Sequence, residues 1–271
     1  MSDRAQWKQQ VIEEMGLGPV WTRRARPDAG VAAPAAAETT AALETPSAAS
    51  AMAPAPAPAA APAVTPQAAP PAAPPASEVA QMDWDALETA VAGCVKCRLC
   101  EDRTRTVFGV GDRKAKWLFI GEGPGRNEDL QGLPFVGPAG KLLDNMLMAM
   151  GLSRTENAFI ANVVKCRPTG DDGRDRPPAP DEAAACMPYL QRQIELIQPA
   201  ILVALGKTAA VSLLGLPADS PVGKLRGQVF EYRGLPLVVT YHPAYLLRRL
   251  TDKGKSWADL CLAMNAYAGS R

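Results

Sequence analysis

The chain has 271 residues, a formal charge of +1, 47% hydrophobic residues, six cysteines and one histidine. So even a charge balance does not by itself mark a nucleic-acid binder, and no apolar run reaches the roughly 18 to 20 residues that a membrane helix needs. The opening stretch, MSDRAQWKQQ, carries no signal-peptide apolar core, so a cytoplasmic protein is expected, in which cysteines are more often free, metal-bound or redox-active than disulfide-bonded.

Residues 1–25 form a short arm in which Trp7, Val11, Ile12, Met15 and Leu17 recur at helical spacing up to Gly18. An isolated helix of this length is marginal, so the arm reads either as a docking helix for a protein partner or as a segment that packs on nothing. Residues 26–78 are almost wholly Ala, Pro, Thr and Ser, with alternation such as APAPAPAAAPA. A tract without large apolar groups cannot build a core and reads as an extended linker. The folded domain is expected over 79–271. From Gln81 onward there are 24 Lys and Arg against 21 Asp and Glu, a mild excess that leaves room for a local cationic patch.

A helix is expected from Trp84 to Val91, leading into Cys94-Val95-Lys96-Cys97 with Cys100 close behind; Cys166 and Cys186 follow much later. Zinc sites usually show a second Cys-x-x-Cys or paired histidines, and this chain has a single histidine. Four thiolates from three segments suit an iron–sulfur cluster at least as well as a cysteine-only zinc site, and buried free thiols are the bland alternative. The following RTRTVFGVG offers two arginines that either bind phosphate or lie solvated.

The stretch 117–144, WLFIGEGPGRNEDLQGLPFVGPAGKLLD, reads as a buried strand from Trp117 to Ile120, a glycine-rich acidic loop and a helix. The loop is neither a dinucleotide fingerprint nor a P-loop, which disfavours a nucleotide cofactor. In an open α/β sheet, ligands bind beyond the carboxyl ends of the strands, so this loop is a candidate substrate site. Phe135 stands among its glycines and prolines, either facing a pocket or pinning the loop. A second strand is expected over Phe159–Val164, with Asn162 near its end as a reader of a ligand edge or a turn cap.

Further on, TGDDGRDRPPAP is a polar loop, with Asp181 expected to cap a helix running to Ile197. Strands are expected over 201–205, 228–232 and 237–241, a helix over 206–214, and a closing helix over 257–267 with Cys261 on its apolar side. His242 falls at a strand-to-helix junction, on the same sheet edge as the GEGPG loop, which favours a functional role.

Taken together, GEGPGRNEDLQGLPFVGPAGKLLD, NVVKCRP and HPAYLLR resemble the family 4 uracil-DNA glycosylases, the iron–sulfur branch of the uracil-DNA glycosylase superfamily. The resemblance covers the chain from about Cys94 onward and leaves the arm and linker outside. It implies a three-layer α/β/α domain with a short, mostly parallel central sheet, and a 4Fe–4S cluster held by Cys94, Cys97, Cys166 and Cys186, with Cys100 and Cys261 unassigned. It further implies an enzyme acting on uracil-containing DNA. A flipped-out uracil would stack on Phe135 and pair with Asn162, while His242 would stabilise charge on the leaving base. Gly123 stands where other branches carry an activating Asp or Asn, and Glu122 and Glu128 are its acidic neighbours. These two are candidates for positioning water, or for holding the loop through backbone hydrogen bonds. Lys224, Arg226 and Arg248 are the candidate phosphate contacts, against the alternative of a solvated cationic rim. No lysine in these motifs suggests a Schiff-base nucleophile, so a monofunctional glycosylase is expected. A non-catalytic iron–sulfur DNA-binding or polymerase-associated module is the rival reading, and a monomer is the default expectation.

Overall fold

A computed structural model describes residues 76–269. The arm expected over 1–25, and all of the linker up to residue 75, lie outside the described residues. The described chain opens with α1 (Ala76–Val79), α2 (Trp84–Ala92) and α3 (Leu99–Asp102). Next come β1 (Val110–Gly111), β2 (Trp117–Gly121), α4 (Arg126–Gln131), α5 (Pro138–Ala149) and β3 (Ala158–Asn162). The second half carries α6 (Pro180–Ile197), β4 (Ile201–Leu205), α7 (Lys207–Leu214), α8 (Val222–Leu225), β5 (Val229–Tyr232) and β6 (Leu235–Thr240). It closes with α9 (Pro243–Arg248), a 3-10 turn and α10 (Lys253–Gly269).

The strands form one six-stranded sheet in the order β1-β3-β2-β4-β6-β5. The inner four are parallel, and β1 and β5 pair antiparallel at the two edges. The central strands WLFIG, AFIAN and ILVAL are apolar at almost every position because both faces are covered. One face, with Leu118, Ile120, Leu202 and Ala204, packs on α2, α6 and α7. The other, with Phe119, Ile160, Val203 and Val238, packs on α5 and α10. These are the three layers that the resemblance implies. No described helix is long and apolar enough to cross a membrane.

The order of the inner strands reverses direction between β2 and β4, and at such a switch point the loops leaving neighbouring strands part to form a crevice. Four carboxyl ends meet there, at Gly121, Asn162, Leu205 and Thr240.

Two sequence expectations change here. The strand expected to run to Val164 stops at Asn162. The next two amides, of Val163 and Val164, leave the ladder and donate to the carbonyls of Gly121 and Glu122 at 2.9 and 3.2 Å, tying the cysteine-bearing loop to GEGPG. Asp181 is not the cap of α6. The helix starts one residue earlier, and the Glu182 carboxylate accepts the Ala179 amide at 2.7 Å while pairing with Arg176 at 2.6 Å. That double engagement, led by the Arg176 hydrogen bond, holds the Glu182 carboxyl below its ordinary range.

Candidate active site

The switch-point crevice is a cleft of about 510 Å³, within the size range of small-ligand pockets. Gly121 and Asn162 are register partners across β2 and β3, which puts the Asn162 amide directly beside the start of the GEGPG loop. A Cβ on Gly121 would fall on Asn162 Oδ1 and lie 2.7 Å from Phe135 Cζ, so glycine is required for the amide and the ring to meet. Asn162 is 1% exposed, and its Oδ1 has no hydrogen-bond partner among the described residues. A buried acceptor left open costs about 1–3 kcal/mol, so Oδ1 is an acceptor with its lone pairs available to a partner.

The Phe135 ring is 6% exposed and lies 5.5 Å from the His242 imidazole between centroids, with the planes 27° apart. The rings are too close to admit a third between them. Phe135 itself has a φ of 55°, a strained, left-handed conformation for an aromatic residue.

His242 is the N-cap of α9, and its Nδ1 accepts the Ala244 amide at 3.1 Å. With Nδ1 acting as acceptor, a neutral ring carries its proton on Nε2. Although one edge opens on the cleft, burial pushes the imidazole down to about 4, helped by the Arg248 cation and opposed by Glu128, so the ring is neutral at physiological pH.

Glu122 and Gly123 both line the cleft. The Glu122 carboxylate accepts from the Thr208 hydroxyl of α7, and burial raises its pKa against the pull of Thr208 and Lys207. Glu128 also borders the cleft, but its Oε1 accepts the amides of Val136 and Gly137 at 2.9 and 3.2 Å, so it is engaged in holding the loop. Of the three cations named from the sequence, Arg248 stands exposed at the cleft rim. Lys224 is exposed on α8 and does not line the cleft.

Arg226 is turned inward instead. Its side chain is 11% exposed, with Nε 2.6 Å from Asp259 and the guanidinium 4.3 Å over the Tyr241 ring, so it offers no free cation to a phosphate. Burial raises the Asp259 carboxyl, and hydrogen bonds from Thr240 and Arg226 oppose the rise. The cleft also gathers residues that were not named from the sequence. Lys207, the first residue of α7, is one; a basic residue following a strand-ending glycine was the available clue.

A second pocket is lined by five cysteines, Cys94, Cys97, Cys100, Cys166 and Cys186. Cys261 lies elsewhere, half-buried on α10. Among the described residues, no three of these side chains stand close enough to grip one metal ion. Two sulfurs face N–H donors: the Lys165 amide lies 3.3 Å from Cys186 Sγ, and the Arg103 guanidinium lies 3.3 Å from Cys166 Sγ while also holding the Cys94 carbonyl at 2.6 Å. Burial pushes the thiols of Cys166 and Cys186 up to about 11 and about 12. The Tyr189 hydroxyl is buried beside Cys94, and burial, followed by that neighbour, raises its pKa.

Lys165 bridges the two pockets. Its fully buried ammonium donates to the Asn162 carbonyl at 2.9 Å and to Gln193 Oε1 at 2.6 Å, and burial lowers its pKa to about 8.

Residues 108–262 match the family model described as the uracil DNA glycosylase superfamily. The type-4 uracil-DNA glycosylase of Archaeoglobus fulgidus is 42% identical over 171 residues, spanning 61% of this chain and 83% of that protein. The type-4 enzyme of Sulfurisphaera tokodaii is 44% identical over 170 residues, 60% of this chain and 75% of its own length. That of Thermotoga maritima is 43% identical over 164 residues, 60% and 82%. The matched span takes in the sheet, its four inner carboxyl ends and every residue of the cleft named above, and on that ground the chain belongs to the uracil DNA glycosylase superfamily.

Proposed function

We infer that this chain is a uracil-DNA glycosylase of base excision repair, hydrolysing the N-glycosidic bond of a flipped-out deoxyuridine to release uracil and leave an abasic site. The observation that carries this reading is the meeting of Phe135, Asn162 and His242 in one cleft, in a chain whose relatives are named type-4 uracil-DNA glycosylases.

A base inside a duplex is out of reach, and extruding it costs a few kcal/mol. Stacking on Phe135 offsets about 1–3 kcal/mol of that. Asn162 then selects. Its Oδ1 accepts from uracil N3–H, and its amide NH₂ donates to uracil O4. Cytosine presents a bare N3 and an amino group at those positions, so the same amide meets acceptor with acceptor and donor with donor. As the C1′–N1 bond breaks, its electron pair passes to the uracil ring and oxocarbenium character develops on the sugar. His242, neutral and protonated on Nε2, donates a hydrogen bond to the negative charge gathering on uracil O2, aided by the N-terminus of α9. Water adds to C1′. Glu122, on the cleft wall beside Gly123, is the carboxylate proposed to position it. Arg248, at the rim, is proposed to meet a phosphate flanking the target nucleotide.

Cys94, Cys97, Cys166 and Cys186 are proposed to hold a 4Fe–4S cluster. The donor set fits it. Thiols from three segments line one pocket, and a cluster would give each of four thiolates its own iron. Two N–H groups are aimed at sulfur, as donors supporting a thiolate would be. When bound, the cluster supplies a covalent tie between segments. Around it, Arg103 and Lys165 compensate thiolate charge.

The test is uracil release from single-uracil duplex DNA, followed by alkaline cleavage at abasic sites. Wild type is expected to incise, with His242→Ala and Asn162→Ala each slower by about 10²-fold. Borohydride is expected to trap no protein–DNA adduct, although Lys207 lines the cleft. Binding of uracil-containing DNA without abasic sites would overturn the reading in favour of a non-catalytic module.

A further inference from the structure

Phe135 is gripped through its backbone by two charged side chains on opposite sides. The carbonyls of Pro134 and Phe135 accept from the Arg154 guanidinium at 2.8 and 2.5 Å, and Gly140 O lies 3.5 Å from the same group. The next two amides, of Val136 and Gly137, donate to Glu128 on the other side. Arg154 is itself anchored, its Nε 2.5 Å from Asp144 on α5. Gly140 completes the seat, since a Cβ there would overlap the Phe135 carbonyl. A left-handed aromatic residue in a loop persists only where its surroundings over-determine it. Arginine suits the task, because its planar fork can serve several carbonyls at once.

We propose that Arg154 and Glu128 form a two-sided peptide clamp that sets the Phe135 ring against Asn162 and His242, making Arg154 a positioning residue for the flipped base. This rests on the reading of Phe135 as the surface on which the base stacks. Arg154 acts through the loop and touches neither base nor sugar. A ring out of place misaligns the base against His242 without weakening the phosphate contacts that dominate affinity for DNA. The proposal therefore separates kcat from KM.

The experiment compares wild type, Arg154→Met, Arg154→Lys and Phe135→Leu, with the Arg154→Met/Phe135→Leu double variant closing the cycle. Arg154→Met is expected to lower kcat by about 10- to 100-fold with KM within about threefold, and lysine, which keeps the charge but not the fork, to recover little of it. On the Phe135→Leu background the same change is expected to cost less than about threefold, because the ring it positions is gone. Equal losses on both backgrounds, or an unchanged kcat with an active wild type, would overturn the clamp. A readout independent of turnover is amide exchange at Val136 and Gly137, expected to quicken in Arg154→Met and Glu128→Ala with exchange in the sheet unchanged. Unaltered exchange at both amides, or a loss of protection throughout the fold in both Arg154 variants, would overturn it as well. A wild type that releases no uracil, with exchange responding as expected, would instead count against the glycosylase reading and leave the clamp standing.

Discussion

Asn162 Oδ1 occupies the space that a side chain on Gly121 would need, so the amide proposed to read the base exists only because its register partner has none. The same missing atom makes room for the edge of the Phe135 ring. A single methyl at 121 therefore probes both halves of the proposed base-binding surface at once.

Gly121→Ala is expected to displace the Asn162 amide and the Phe135 ring together. Overpacking of this kind costs about 1–3 kcal/mol of stability. Uracil release is expected to fall further than stability does, by about 10²-fold or more, since misplacement of about 1 Å is felt in kcat. Melting temperature and initial rate on the same preparation check this, and a variant that melts lower yet turns over normally contradicts it.

The pH behaviour of His242 follows from its depressed pKa. The unfolded chain binds a proton at this ring below about 6.5, and the folded protein only below about 4. Its contribution to stability is thus fully present above about 6.5 and is lost as pH falls toward 4, with a slope of at most about 1.4 kcal/mol per pH unit. His242→Gln is expected to remove that slope, which denaturant melts of both proteins between pH 4 and 7 would read. For turnover, the neutral ring is the donor, so kcat is expected to show no acid limb near pH 6.5. A limb there, absent from His242→Gln, would mean that the imidazolium acts instead.

Metal content separates the cysteines. Cys186→Ser is expected to lose most iron and visible absorbance and to melt lower, whereas Cys100→Ser is expected to retain both. Treatment of wild type with an iron chelator after oxidation is expected to lower the melting temperature, because metal–thiolate ties that form only in the folded state contribute directly to folding. A colourless protein carrying zinc would contradict the cluster assignment.

Arg226→Met tests the inward orientation of this arginine. It leaves the Asp259 carboxylate buried without its cation, a change that costs about 3–5 kcal/mol. Stability is expected to fall accordingly, while the salt dependence of DNA binding stays as in wild type. Arg248→Met is expected to do the reverse, leaving the melt unchanged and flattening the salt slope by about one phosphate contact.

The strands and the cleft were legible because their signals are local. Apolar runs ending in Gly121, Asn162 and Thr240, each followed by polar or glycine-rich loops, mark both the sheet and the edge where ligands bind. Arg226 was misleading for the opposite reason. In PVGKLRG it looks like any loop arginine, and its partner Asp259 lies 33 residues later on α10, a pairing that only tertiary packing reveals. Arg154 carries no motif at all, and its place under Phe135 depends on the turn between α5 and β3. The two-residue β1 is too short for any alternation to announce it. Asp181 looks like the cap in sequence because the engagement of its neighbour Glu182 with Arg176 and the Ala179 amide shows only in the fold.

Lys165 lies between Asn162 and Cys166, with its ammonium on the carbonyl of the first and its own amide on the sulfur of Cys186. One buried residue thus ties the end of β3 to the cysteine-lined pocket, and a shift on either side is felt on the other without crossing solvent.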